Sequence, residues 1–128
     1  MALDFNLSID PAIFVGTKPA AVLIDGEILP AHTWRKVYKE ILQHCIKDPV
    51  YYERLMNLRG RIAGQQRVFI SDKSDGMTQP LQICEGLYGE VHYGSQTLMH
   101  ILTVRILTPL HYDYSKIKIR ISQISRRK

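Results

Sequence analysis

The chain has 128 residues, of which 45% are hydrophobic and 23% charged, a composition that suits one globular domain and excludes collagenous, disordered and disulfide-scaffold chains. Its formal net charge is +5 at pH 7, but Arg126, Arg127 and Lys128 carry three of those charges, so the body is close to balanced and points only modestly to a polyanionic partner. No run approaches the roughly 18 to 20 apolar residues of a membrane-spanning helix, and Asp4 and Asp10 interrupt the start where a secretory leader would be basic and then apolar, so a soluble cytoplasmic protein is expected.

In chain order, Leu3, Phe5, Leu7 and Ile9 alternate with Asp4, Asn6, Ser8 and Asp10 as in a half-buried strand, which Pro11 closes. Such a terminal strand pairs either within its own chain or with a second copy. Ala20 to Pro30 reads as a hairpin about Asp25-Gly26, whose residue types suit the φ > 0 positions of a type I′ turn; Leu23 then faces Ile28, and Val22 faces Leu29. Thr33 is the expected N-cap of the clearest helix, in which Trp34, Val37, Tyr38, Ile41, Leu42, Cys45 and Ile46 recur at helical spacing. Asp48-Pro49 supplies the cap and first-turn proline of a second, short helix ending near Arg59, with Gly60 as its stop.

From Arg59 to Gln66 the chain is polar and basic and reads as a loop, followed by a strand from Val68 to Ser71 and a surface loop from Asp72 to Pro80. Two strands, Leu81 to Cys84 and Leu87 to Tyr93, bracket Glu85-Gly86. A third helix runs from Gln96 to Thr108 and stops at Pro109, and in the last strand Ile117, Ile119 and Ile121 alternate with Lys116, Lys118 and Arg120. This order predicts an α+β fold, a largely antiparallel sheet packed with three helices. It occupies residues 1–124, ahead of a basic tail, 125–128.

Three sets of residues invite a functional reading. At 100° per residue, Arg105 falls among Leu98, Ile101, Leu102 and Ile106 on the apolar side of the third helix. Its guanidinium then either floors a cleft, where the planar fork suits phosphate or carboxylate, or its stem snorkels over apolar surface, or it pairs internally with an acid such as Glu90 or Asp113. With Tyr88, Glu90 and His92, which share one face of the preceding strand, it outlines a candidate pocket. No spacing supplies a base oriented by a third group, so no catalytic residue is assigned.

The second set is the basic loop of Arg59, Arg61 and Arg67 with Lys73 nearby, where no acidic residue occurs from Arg54 to Ser71. It suits a phosphate backbone, and equally a solvated turn. The third is the stripe of Lys116, Lys118 and Arg120, spaced about 6.6 to 6.8 Å like successive phosphates, which leads to Arg126, Arg127 and Lys128. Lysines on an exposed strand also guard it against edge-to-edge pairing. Cys45 and Cys84 read as reduced thiols, and the histidines show neither paired-cysteine company nor a shared helical turn, so no metal or other cofactor is expected.

Trp34 after the hairpin, Asp48-Pro49 between helices, Arg67-Val68-Phe69-Ile70-Ser71, Pro80 with Ile83, Leu87-Tyr88 with Glu90, and Tyr112-Asp113 before the last strand recur in this order in a family that the chain resembles. That family is a small, uncharacterised bacterial and phage domain found alone or attached to nuclease and defence-type proteins. Where the family follows the glutamate with Thr-Asn, this chain has Val91-His92-Tyr93-Gly94-Ser95. The resemblance implies a setting, nucleic-acid processing or the contest between phage and host, and no catalytic residue.

The leading expectation is a non-enzymatic nucleic-acid-binding or nucleic-acid-associated module. A protein-binding regulator, such as a phage inhibitor of a host defence nuclease, is the alternative. A nucleotide sponge or small enzyme built around Tyr88, Glu90, His92 and Arg105 is the third. A homodimer is favoured over a monomer by the alternating terminal strand and the apolar third helix.

Overall fold

Asp25 and Gly26 have φ values of 50° and 77°, the paired positive angles of a type I′ turn. In this computed structural model, which describes residues 3–60 and 69–124, that turn joins β2 (Thr17–Ile24) to β3 (Glu27–Pro30). Leu23 lies opposite Ile28 and Val22 opposite Leu29, the register that the turn chemistry dictates. The last strand, named β7 (Lys118–Ile124), pairs antiparallel with both β2 and the first strand, β1 (Leu3–Asn6). The resulting sheet has the order β1-β7-β2-β3, so the terminal strand pairs within its own chain.

Period-two alternation divides this sheet into a covered and an open face. Val22, Ile24, Ile119 and Ile121 are buried on the covered face, while Lys118 is exposed and Arg120 half-buried on the other. The cover is α1 (Trp34–Cys45), whose N-cap Thr33 accepts the Lys36 N–H at 3.1 Å and whose Val37, Tyr38, Ile41, Leu42 and Cys45 are buried. Asp48 caps α2 (Pro49–Asn57) by accepting the Val50 N–H at 2.9 Å, and Gly60 follows at φ 74°.

A second antiparallel sheet, β4-β6-β5, is formed by β4 (Ile70–Ser71), β5 (Pro80–Cys84) and β6 (Leu87–Glu90). The fold is therefore α+β with two sheets rather than one. Helix α1 packs against both β2 and β5. Tyr38 closes the join: a Cβ at Gly89 would lie within 2.8 Å of a Tyr38 ring carbon and closer still to the hydroxyl oxygen, so β6 has room for glycine only. Cys45 is a buried free thiol, Cys84 a half-buried one, and no helix among the described residues is long and apolar enough to cross a membrane.

Three local expectations are corrected. The first strand stops at Asn6, short of the expected end at Pro11, and Pro11, with Asp10 as cap, opens a 3-10 turn, Pro11–Phe14, that buries Phe14. Strand β6 stops at Glu90, three residues before Tyr93, because the chain there folds over the Glu90 carboxylate. The third helix is α-helical only over α3 (Ser95–His100) and continues as a π-helix, Ile101–Leu107.

The π-helical stretch changes the phase of every residue in it. Thr108 N–H donates to Thr103 O at 2.9 Å and Tyr112 N–H to Leu107 O at 3.1 Å, each closing over five residues. Such rings turn the chain by less than the α-helical 100° per residue. Thr103 is 4% exposed and donates its hydroxyl to Met99 O at 2.9 Å. Arg105, expected toward the core, is exposed.

Candidate functional site

The open face of the four-stranded sheet is built around β7. Lys118 lies between Asn6 of β1 and Leu23 of β2, and Arg120 between Asp4 and Ala21. The strand is therefore interior, and edge protection is not the reason for its lysine. Arg120 grips Asp4, Nε to Oδ1 at 2.9 Å and Nη2 to Oδ2 at 3.3 Å. This fork lowers the Asp4 carboxyl below its ordinary range and raises Arg120.

Lys116 belongs to a 3-10 turn, Tyr114–Lys116, immediately before the strand rather than to the strand itself. Asp113 caps that turn by accepting the Ser115 N–H at 3.1 Å, and hydrogen bonds from Ser115 lower the Asp113 carboxyl. Asn6 Nδ2 donates to Ser115 O, and Leu7 N–H to Ile117 O at 2.8 Å, which ties the turn to the end of β1. Lys116 and Lys118 are both exposed. They border a groove of about 310 Å³ at the hairpin end of the sheet, which Asp25 and Glu27 line as well, together with Leu23 and Ile28.

The basic loop has a different fate. Arg59 donates Nε to Met56 O at 2.8 Å and Nη1 to Gly86 O at 2.7 Å. It thereby closes the carbonyl end of α2 and pins the β5–β6 turn, so much of its fork is committed to the fold. Lys73 is exposed, and its backbone N–H donates to Ser71 Oγ at 3.3 Å. Arg61, Arg67, Arg126, Arg127 and Lys128 lie outside the described residues.

Of the candidate pocket, the structure joins Glu90 and His92. Glu90 is 1% exposed; its Oε1 accepts the Thr78 N–H at 2.7 Å, and its Oε2 accepts those of Gln79 at 2.9 Å and His92 at 3.2 Å. Three amide donors satisfy a carboxylate that burial would otherwise penalise heavily. His92 is exposed, with Nδ1 3.4 Å from Gln79 Oε1, an atom that also accepts Arg35 Nη2 at 2.9 Å.

Tyr88 lies opposite Gln82 and Ser71. Arg105 sits with its guanidinium carbon 5.5 Å from the Phe69 ring centroid, and Phe69 O accepts the Glu90 N–H at 2.9 Å. Arg105 and Glu90 thus both meet Phe69, one at its ring and the other at its carbonyl.

Buried titratable groups are placed against reactivity. Burial raises the Cys45 thiol to about 12 and raises Tyr38 above its ordinary range. Among the described residues no group of three or more His, Cys, Asp or Glu side chains is arranged to hold a metal ion. The residues missed from sequence were Leu23 and Ile28. Their hairpin register was legible, and only the placement of β7 beside β2 shows that their side chains flank lysines. Comparison with protein-family models, curated proteins and solved structures finds no match.

Proposed function

We propose that this chain is a non-enzymatic nucleic-acid-binding module that receives a phosphate backbone on the open face of the four-stranded sheet, in the phage or bacterial defence setting that its sequence resemblance implies. The observation that carries the reading is the position of Lys118 on an interior strand, with Lys116 beside it. Cations there are not needed to guard an edge, and the buried Ile117 between them anchors their spacing in the core. Glu90, the buried acid of the candidate pocket, holds three backbone amides.

The test is nucleic-acid affinity as a function of salt, measured by fluorescence anisotropy on the full chain and on Lys116→Ala/Lys118→Ala. Affinity should fall steeply between about 50 and 200 mM salt, and the double variant should reduce the logarithmic salt slope by about 1 to 2. A slope unchanged by the double substitution contradicts the assignment of the surface. Absence of salt-dependent binding contradicts the function.

A further inference from the structure

We propose that β3, an open edge of the four-stranded sheet, pairs antiparallel with β3 of a second copy of this chain, so that the sheets of two molecules become one. The proposal is independent of the nucleic-acid reading above. The bonding pattern of the hairpin fixes which backbone groups are free. Ala31 N–H donates to Ala20 O at 2.9 Å. From that pair the alternation of an antiparallel ladder bonds Leu29 to Val22 and Glu27 to Ile24, and turns Ile28 N–H and C=O and Pro30 C=O away from β2. Ile28 is also 58% exposed. An exposed aliphatic residue with an open backbone donor and acceptor at a sheet edge is what another strand completes.

Side chains and charge select a second copy and a single register. With the two-fold axis at Ile28, each Ile28 N–H donates to the Ile28 C=O of the other copy, and Leu23 and Ile28 join the same pair of the second copy in an aliphatic row across the open face. Glu27 then lies opposite Leu29 of the second copy. Moving the axis one residue toward the turn sets Glu27 opposite Glu27, a like-charge pair. Moving it one residue the other way sets Ile28 opposite Pro30, which has no N–H to give the Ile28 carbonyl. The groove beside this edge is lined by Asp25 and Glu27 as well as Lys116 and Lys118. Two chains of net charge +5 therefore meet where local charge is balanced and their repulsion is least.

The experiment measures the mass of the full chain by sedimentation equilibrium from about 1 to 500 μM, beside Ile28→Lys and Ile28→Pro. The first sets two ammonium groups face to face across the axis; the second removes an outward N–H, and neither takes a bond from β2. The native chain should dimerise, and each variant should raise the dissociation constant by at least about tenfold while the dilute monomer keeps its thermal midpoint. Leu3→Lys, on the opposite edge strand β1, should leave dimerisation unchanged. Exchange of the Ile28 amide hydrogen should slow as the native chain is concentrated. A chain that stays monomeric throughout, or a dimer equally tight in Ile28→Lys and Ile28→Pro, overturns the proposal and leaves the nucleic-acid reading standing.

Discussion

At the scale of single residues, the Asp4–Arg120 pair makes a pH-dependent tie between the first and last strands. The Asp4 carboxyl is lowered from its ordinary 3.8 by the Arg120 fork, so its contribution is fully present above that value and is lost as pH falls through the lowered one. The stability gap between the native chain and Asp4→Asn, followed by urea midpoints, should therefore close on acidification below about pH 3 to 4. A gap independent of pH would show that the pair does not couple to folding. Glu90 acts in the opposite setting, buried and bound by three amides. Glu90→Ala should cost about 3 kcal/mol in denaturant unfolding, because it strands those donors. A rise in stability would instead mark Glu90 as a strained functional carboxylate.

At the scale of elements, what was legible in the sequence followed how local the determining chemistry is. The β2–β3 register, the Thr33 and Asp48 caps and the Gly60 stop depend on residues within a few positions of one another, and each was readable. The central place of β7 depends on pairing with residues 95 or more positions away, as in Leu23 with Lys118 and Asp4 with Arg120, and no local pattern encodes it. Arg105 was misplaced for another reason: the π-helical hydrogen bonding of Ile101–Leu107 alters the phase without altering the apolar composition. Thr103 is the residue whose burial reveals this shift, with its hydroxyl shared between Met99 O at 2.9 Å and His100 O at 3.3 Å. Thr103→Val should lower stability by about 1 kcal/mol by removing that donor from buried carbonyls; an unchanged thermal midpoint would mean that these bonds do not support the π-helical turn.

At the scale of the whole molecule, two sheets share α1 and divide the basic residues between them. Arg59 serves the turn of the three-stranded sheet, Arg120 serves the tie to β1, and Lys116 and Lys118 remain on the open face of the four-stranded one. The candidate site was thus half legible: the basic alternation of the last strand was plain, but its apolar companions Leu23 and Ile28 came from a hairpin nearly a hundred residues earlier. The most direct measurement is an NMR titration of the isotopically labelled full chain with a short oligonucleotide, followed residue by residue. The largest amide shifts should fall on Leu23, Ile28 and the segment from Lys116 to Arg120. Shifts concentrated instead about Arg59, Lys73 and Gly86, or about Glu90 and His92, with the open face of β7 silent, would contradict the placement of function on that face.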